Sequence, residues 1–447
     1  MSCSDALVKR RLLSVATEKP REIALRVLHR AFQSDEILDR IMGDALADPN
    51  LKPRDRGLTQ ELVFGVIRSR RLIDSLLGGM VKKRPSAQIQ TALQLGLYQL
   101  LFLTRIPDYA VLDEMVGIVK RMSGQPQARF VNAILRRIVR ERDAILSQVA
   151  AMKETQPDIA YSCPGWLFRR WQARLGPEEI KALLEWQNRT PEVFVRVNRL
   201  KMSGEAFAAQ AEGEGLQVSP KSLAWESTAS VFQIENPAGM TQKDLFLSGA
   251  LYVQDPSTLL SVDWLDPQAG ERILDLCAAP GGKTTYIAEK MGDKGEIVAC
   301  DTVTARLALV EENCLRLGIQ SVTCRLVGAR PLPENFDNAF DRVLADVPCS
   351  NTGVLRRRVD LRWRLKSSEI RQLTQRQLAL LRRAASAVKS GGTLVYSTCS
   401  LEPEENSAIV SEFLDEDARF HLVSERQLTP YQDSCDGAYV ALLKRKD

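Results

Sequence analysis

The stretch from Ile273 to Thr285, ILDLCAAPGGKTT, most constrains how this chain can fold. Its apolar first half predicts a buried β-strand, its glycines predict a tight turn, and a helix is expected to begin at Lys283. Glycine lets a backbone approach a ligand because it has no Cβ, and the first turn of a helix offers unpaired N–H groups. This order of elements is typical of a binding site for a nucleotide-like cofactor.

Two interpretations of this turn are possible. Gly282-Lys283-Thr284 matches the end of a phosphate-binding P-loop, but that motif needs a glycine where this chain has Cys277. A Rossmann-like turn instead needs a carboxylate after the next strand, about twenty residues on, to bind ribose hydroxyls. Glu296–Cys300 predicts that strand and Asp301 follows it, so the second interpretation is favoured; a nucleotide hydrolase and a merely solvated Asp301 are the alternatives.

The chain of 447 residues is longer than one core normally holds, so two or three domains are expected. No apolar run approaches the length of a membrane span, and Met1 to Lys19 lacks the pattern of a signal peptide. The nine cysteines are therefore expected to be reduced thiols in a cytoplasmic protein. We predict no metal site, because there is no Cys-x-x-Cys pair and the only histidines are His29 and His421.

The net charge of +5 is modest, but the basic residues are clustered. The clusters are Lys82–Arg84, Arg136–Arg137 with Arg140 and Arg142, Arg169–Arg170, and Arg356–Arg358 with Arg362 and Arg364. Basic clusters on several segments favour a polyanion as partner, whereas solvated helix faces are the simpler explanation.

Three regions differ in their patterning. The first region, residues 1–150, reads as helical from residue 20 onward, with an almost entirely apolar central helix at Ile89–Thr104. Residues 151–245 predict a small α+β unit that begins with a linker-like stretch at Pro157–Pro164. Residues 246–447 alternate strand and helix, which predicts an α/β sheet with mostly parallel strands. The expected strands are 272–276, 296–300, 321–326, 342–345, 393–397 and 439–443, and the expected helices are 283–291, 304–317, 368–388 and 404–414.

The first region resembles a known family. The residues that carry the resemblance are Leu95–Leu100, Arg105–Pro107 and Arg129–Arg137. They are similar to the NusB-type RNA-binding helical domain, in the version fused to bacterial ribosomal RNA methyltransferases. The second region, through Trp166–Trp171 and Arg196–Asn198, is similar to the segment that precedes the catalytic domain in the same proteins.

Two cysteines follow neighbouring strands of the predicted sheet. Cys349 lies in Asp346–Gly353, after the fourth strand, and Cys399 lies in Ser397–Ser400, after the fifth. A single free cysteine is usually buried and inert, but two at adjacent strand ends facing one cofactor turn favour chemistry. Methylation of a cytosine at carbon 5 is a reaction that uses such a pair, because a thiolate added at carbon 6 makes carbon 5 nucleophilic and a second thiol can help the adduct to break down. The target base must also leave its stack to be reached.

The third region resembles the RNA cytosine-C5 methyltransferase family named after its bacterial Sun/Fmu members. The matching segments are 253–255, 275–283, Asp301, 341–342, 346–353, 396–400, 402–403 and 405–406. The resemblance implies S-adenosylmethionine as cofactor and a class I, Rossmann-like methyltransferase domain behind a NusB-like domain and a small α+β linker domain. It implies Cys399 as nucleophile, Cys349 as the group that assists product release, and Asp346 as a contact of cofactor and base. The turn Cys277-Ala278-Ala279-Pro280-Gly281-Gly282-Lys283 would bind the methionine part and Asp301 the ribose.

The resemblance also implies a substrate, a cytosine of 16S ribosomal RNA, either as naked RNA or in an early small-subunit particle. We expect the enzyme to be a monomer.

Some positions depart from the family pattern. Gly328 stands where an adenine-binding Asp is usual, Val359 where a proline is usual, and Ala438 where an aromatic residue is usual. A non-catalytic RNA-binding assembly factor that kept the fold is the alternative.

Overall fold

The computed structural model describes residues 19–225, 227–328 and 332–447. The expectation for the N-terminal stretch before Lys19 therefore lies outside the described residues. The chain forms two compact units: one runs to Asn188 and includes Arg362–Arg364, and the other comprises Arg189–Leu361 and Leu365–Asp447. Within the described ranges, no helix combines the length and the apolar character needed to cross a lipid bilayer.

The first unit is built from helices. They are α1 (Pro20–Gln33), α2 (Leu38–Ala45), α3 (Pro53–Arg68), α4 (Arg70–Gly78), α5 (Ala87–Phe102), α6 (Asp108–Ser123), α7 (Gln125–Arg140), α8 (Arg142–Thr155), α9 (Pro157–Ala160), α10 (Gly165–Gln172) and α11 (Pro177–Asn188). Helix α5 is buried from Thr91 to Leu100, as its apolar composition predicts. Helix α3 packs closely against α5: a Cβ added to Gly65 of α3 would lie 2.0 Å from the ring of Tyr98 of α5.

The stretch Pro157–Pro164 is folded, and its prediction as a linker was wrong. It begins with α9, and Tyr161 and Cys163 are buried. The Tyr161 hydroxyl donates to Glu185 at 2.9 Å, and the Asn188 side chain donates to the Tyr161 carbonyl at 2.7 Å. Its polar and proline residues suggested a linker, whereas its tertiary contacts make it part of the core.

The second unit begins with a small antiparallel sheet. Its strands are β1 (Val193–Val197), β2 (Val218–Pro220), β3 (Val231–Ile234) and β4 (Leu251–Val253), in the spatial order β2-β3-β1-β4. Two helices accompany it, α12 (Gly204–Gly213) and α13 (Asp244–Leu247). The two three-residue strands, β2 and β4, are too short to leave a pattern in the sequence.

The larger sheet has seven strands in the order β10-β11-β9-β8-β5-β6-β7. They are β5 (Arg272–Asp275), β6 (Glu296–Asp301), β7 (Val322–Leu326), β8 (Phe340–Asp346), β9 (Val388–Thr398), β10 (Phe420–Leu428) and β11 (Ala438–Arg445). The five strands β5 to β9 run parallel, and β11 and β10 pair antiparallel beside β9. The prediction of a mostly parallel α/β sheet in a multidomain chain is confirmed.

Helices precede and connect the strands of the larger sheet. They are α14 (Leu260–Leu265), α15 (Gly282–Lys290), α16 (Thr304–Leu317), α17 (Leu361–Arg364), α18 (Ser367–Ala387), α19 (Ser407–Glu416) and α20 (Pro430–Asp433). Each of the four predicted helices lies within a few residues of an observed one. Strand β10 was not predicted, because it is an edge strand with exposed residues from His421 to Glu425 and shows no apolar alternation.

Burial on both faces of the sheet explains the apolar runs. Ile297 and Ala299 of β6 belong to one core cluster, whereas Val298 and Cys300 belong to another. Successive side chains of a strand point to opposite faces, so the sheet has a core on each side. Because parallel strands end at the same edge, their terminal residues Asp275, Asp301, Asp346 and Thr398 share one edge of the sheet.

Candidate active site

The turn between β5 and α15 has the backbone geometry of a close approach. Gly281 has a φ of +101°, which L side chains rarely adopt, and a Cβ there would lie 3.2 Å from Val310. A Cβ on Gly282 would lie 3.1 Å from the ring of Tyr252. The preceding Ala279–Pro280 peptide bond is cis. A side chain at Gly281 would strain the backbone, and a side chain at either glycine would crowd the residues packed behind the turn.

The carboxylate of Asp301 is held in a fixed orientation at the end of β6. Its Oδ1 accepts hydrogen bonds from the backbone N–H of Thr302 at 2.7 Å and of Val303 at 3.1 Å. Arg306 lies 3.3 Å from Oδ2 and also donates to the carbonyl of Ala279 at 2.9 Å. Arg306 thus joins the carboxylate to the turn after β5.

A cavity of about 630 Å³ opens at this edge of the sheet. Its volume lies within the range of small-molecule sites. Its lining includes the predicted site residues Cys277, Ala279, Pro280, Lys283, Asp301, Asp346, Cys349 and Cys399. Three further predicted residues, Ala278, Gly281 and Gly282, shape the turn without lining the cavity.

The two predicted cysteines meet in the cavity. Their sulfurs lie 3.2 Å apart, and the Cys399 thiol donates to Oδ1 of Asn351 at 3.1 Å. Since Cys399 donates to Asn351, Cys349 is the donor in the contact between the sulfurs. The hydrogen bond to Cys399, together with burial, raises the pKa of Cys349 well above its usual value. Cys349 is therefore a neutral thiol at neutral pH, and Cys399 is the more exposed of the two.

Lys283 and Asp346 form an ion pair beside the cysteines. The Lys283 Nζ lies 2.7 Å from Asp346 Oδ2, and the Ser397 hydroxyl donates to Oδ1 at 2.7 Å. Burial opposes the charge of Lys283, but the charge of Asp346 and the hydrogen bond to it raise the pKa of the lysine overall; Cys399 contributes in the same direction. The cavity therefore contains a fixed positive charge next to Cys399.

Glu405 holds the two cysteine loops together, a role that the sequence did not reveal. It is fully buried, and its carboxylate accepts hydrogen bonds from the Ser350 N–H at 2.8 Å and the Gln377 amide at 2.9 Å. The hydroxyls of Ser350 and Ser400 donate to its other oxygen. Ser350 follows Cys349 and Ser400 follows Cys399, so one carboxylate fixes both loops. The sequence singled out Glu405 only as part of the segment 405–406 that resembles the family, and no pattern in the sequence marks it as buried.

Arg196, on β1 of the small sheet, supports the cofactor turn from behind. It is 1% exposed and donates to the carbonyl of Gly282 at 2.9 Å and to Glu289 of α15 at 2.8 Å. The sequence singled out Arg196 only through resemblance and assigned it no chemistry. The structure shows that Arg196 connects strand β1 of the small sheet to helix α15, which follows β5 of the large sheet.

The prediction that the segment around Arg356 is a surface for a polyanion was wrong for most of its residues. Arg356 is 1% exposed and lies 2.6 Å from Asp436 and 2.5 Å from Glu192. Arg357 pairs with Asp255 at 2.7 Å. Arg362, in the first unit, is also buried, and burial lowers its pKa to about 10. Arg358 alone of its triplet is exposed, and it lines the cavity.

The residues at the cavity fit S-adenosylmethionine. The turn after β5 offers a backbone without side-chain obstruction, and the Asp301 carboxylate stands where ribose hydroxyls need an acceptor. When bound, this cofactor supplies a methyl group on a sulfonium. In the part of the chain that the structure describes, no three His, Cys, Asp or Glu residues are placed to hold a metal ion.

The fold is shared with solved structures. The protein described as PH0851 superposes with a TM-score of 0.76 at 24% identity, covering 96% of this chain and 100% of that one. A methyltransferase homolog from Pyrococcus horikoshii superposes with a TM-score of 0.55 at 29% identity, over 62% of this chain and 94% of that one. NSun6 from the same organism, solved with SFG, has a TM-score of 0.56 at 23% identity, over 64% and 98%.

Sequence families match all three regions. Residues 262–444 match the 16S rRNA methyltransferase RsmB/F family, residues 18–140 the NusB family, and residues 163–229 the ferredoxin-like domain of RsmF/B-like methyltransferases. Ribosomal RNA small subunit methyltransferase B of Escherichia coli O1:K1 is 34% identical over 436 residues, 95% of this chain and 98% of that protein. The same protein from Escherichia coli strain SE11 is 34% identical over 440 residues. These matches set the P-loop interpretation aside, and the chain belongs to the RsmB/F family of S-adenosylmethionine-dependent 16S rRNA methyltransferases.

Proposed function

We propose that this methyltransferase acts on carbon 5 of a cytosine in 16S rRNA, through a covalent bond between Cys399 and carbon 6 of the base. The observation that carries the proposal is the pair of sulfurs, 3.2 Å apart in the cavity that also contains the cofactor turn. Methylation of an exocyclic amine or a ribose hydroxyl needs no thiol, whereas attack at carbon 5 needs a nucleophile that first breaks the aromaticity of the ring.

Cys399 is the nucleophile in this mechanism because it is the more accessible cysteine and faces the cation of Lys283. Asn351 holds its sulfur through the 3.1 Å hydrogen bond, which orients the thiol before attack. The Cys399 thiol gives up its proton to solvent, and the thiolate adds to carbon 6, which makes carbon 5 enamine-like. Carbon 5 then takes a methyl group, which bound S-adenosylmethionine would supply from its sulfonium, leaving S-adenosylhomocysteine. The Lys283 ammonium stabilises the negative charge that the sulfur carries before attack and again on departure.

Cys349 assists the release of the product. Its pKa is raised by the contact with Cys399 and by burial, so it retains its proton when the adduct breaks down. The neutral thiol donates a hydrogen bond to the departing sulfur of Cys399, and the carbon-5 proton leaves to solvent. Asp346, held by Lys283 and Ser397, presents a carboxylate that orients the base by accepting a hydrogen bond from its exocyclic amino group.

The RNA-binding function of the first unit belongs to the same proposal. Arg129, Arg136 and Arg140 are exposed and recur along one face of α7. We propose that this face contacts phosphates of the 16S rRNA, presented as naked RNA or in an early small-subunit particle, and that the enzyme acts as a cytoplasmic monomer. We further propose that the chain divides into a helical domain (1–150), a small α+β domain (151–245) and a methyltransferase domain (246–447).

Methyl transfer to protein-free small-subunit rRNA, followed by nucleoside analysis, tests the chemistry. The wild type should place the labelled methyl in 5-methylcytidine. Cys399→Ala should abolish both the product and any covalent adduct, because no nucleophile remains. Cys349→Ala should accumulate an RNA–protein adduct stable to denaturing electrophoresis, because the departing sulfur has lost its donor.

Cys324→Ala is the matched control, since Cys324 is a half-buried cysteine of β7 that does not line the cavity; it should behave as wild type. Label in another nucleoside would refute the carbon-5 assignment. Methylation by Cys399→Ala together with no adduct from Cys349→Ala would reverse the two roles. Cofactor binding without methyl transfer to naked RNA or to small-subunit particles would indicate a binding factor instead of an enzyme.

A further inference from the structure

The cavity extends past the carboxylate expected to bind the ribose of the cofactor. Asp301 ends β6, and the next strand in the sheet, β7, is followed by Val327. Val327 and Leu380 of α18 both line the cavity on this side, and Val327 is 7% exposed. A ribose bound at Asp301 and a methionine part bound at the turn after β5 would leave this end of the cavity, with its two apolar side chains, for the adenine base.

A guanidinium group stands at the same end. Arg383 lies one helical turn after Leu380 on α18 and also lines the cavity. Its Nη2 donates to the carbonyl of Gly328 at 3.1 Å, while its Nε is buried without a hydrogen-bond partner. A buried donor without a partner is costly, so its presence at the wall of a cavity needs a reason. The carbonyl contact fixes the guanidinium beside the cavity, and the protein itself leaves part of its hydrogen-bonding capacity unused.

The carboxylates of the cavity are committed elsewhere. Four aspartates line the cavity, and each already has a partner. Asp255 and Asp436 pair with Arg357, and Asp346 pairs with Lys283. Asp301 accepts hydrogen bonds from backbone N–H groups. The sequence that follows Gly328 is Ala-Arg-Pro, which contains no acidic side chain. The amino group of adenine therefore meets no uncommitted carboxylate among the described residues, and the charged group at this end is a donor.

We propose that Arg383 holds the adenine base of the cofactor by donating hydrogen bonds to its ring nitrogens. The site therefore recognises hydrogen-bond acceptors of the purine ring and makes no specific contact with the amino group. An arginine has only donors, and purine nitrogens N3 and N7 are acceptors. Hypoxanthine keeps both nitrogens and replaces the amino group with an oxygen acceptor. The inference rests on the cofactor and is independent of which base of the RNA is methylated.

Binding of two ligands to the purified enzyme, measured by calorimetry, tests the proposal. S-adenosylhomocysteine and its deaminated analogue S-inosylhomocysteine should bind the wild type within about threefold of each other, because the acceptors are retained. Arg383→Met should weaken both ligands by about tenfold, the loss expected for a hydrogen bond from a charged donor. Arg383→Lys should recover part of the affinity, because it restores a cationic donor.

Arg382→Met is the matched control. Arg382 is adjacent on the same helix, but it is exposed and pairs with Glu416 at 2.6 Å, so its loss should change neither affinity by more than about twofold. Unchanged affinity of Arg383→Met would overturn the proposal. So would a wild type that rejects the inosine analogue by about a hundredfold, and this comparison needs no variant to fold.

Discussion

Replacing Asp275 by Asn should remove a pH-dependent loss of stability. Asp275 ends β5 and is 1% exposed; its Oδ2 accepts from the Thr284 hydroxyl at 2.7 Å, and its Oδ1 has no partner. Burial raises the pKa of this carboxyl from 3.8 to about 7; the charge of Asp346 adds to the rise, while the Thr284 hydrogen bond and the charge of Lys283 oppose it. Asn keeps an acceptor for Thr284 and never ionises.

The size of the effect follows from the two pKa values. Because the folded value lies above the unfolded one, the unfolded state binds fewer protons between pH 3.8 and about 7, and the wild type loses stability as pH rises through that window. With about 1.4 kcal/mol per tenfold change in proton affinity, the loss from pH 5 to pH 8 is about 3 kcal/mol. Asp275→Asn lacks this loss, although its amide leaves one donor unpaired at a constant cost of about 1–3 kcal/mol.

Urea unfolding of the ligand-free wild type and Asp275→Asn at pH 5 and pH 8 measures the difference. Relative to wild type, the variant should gain about 3 kcal/mol between the two pH values, and contributions from other titrating groups, such as Asp436 with its raised pKa, cancel in the comparison. Asp415→Asn, an exposed change on α19, is the control and should show no such gain. Parallel pH dependence of wild type and Asp275→Asn would refute the reasoning that burial keeps Asp275 protonated.

Two further substitutions test the supports of the site. Glu405→Ala should lower kcat by about a hundredfold, because the Ser350 N–H and the Gln377 amide lose their shared acceptor. Glu405→Gln retains one acceptor oxygen and should recover much of the rate. Equal rates for the two variants in the methyl-transfer assay would exclude a positioning role for Glu405. Arg356→Met should lower the free energy of unfolding, measured in urea, by about 3–5 kcal/mol, because the negative charge of buried Asp436 loses part of its compensation. Arg358 is exposed, so Arg358→Met should change that free energy by no more than about 0.5 kcal/mol. Similar losses for the two arginines would contradict the burial of Arg356.

Local patterns alone predicted the elements that carry the chemistry. The apolar run before Asp275, the glycines after it and Asp301 after the next strand predict a strand, a turn and a ribose-binding carboxylate, because each rests on backbone preferences over a few residues. The parallel α/β arrangement then places the loops of Cys349 and Cys399 at one edge of the sheet. Resemblance to a family supplied the roles of those residues, which no local pattern contains.

The tertiary structure decided which side chains meet and which charges are buried. The burial of Glu405 between the two cysteine loops depends on Ser350 and Gln377, which lie far from it in the sequence. Arg356 reads as a surface cation in its triplet, yet it is buried because Asp436 and Glu192 compensate its charge. Strand β10 forms because β11 offers it an edge. Local sequence determines backbone preference and apolar periodicity, whereas partners distant in the chain determine which polar groups can be buried, and only the folded chain brings those partners together.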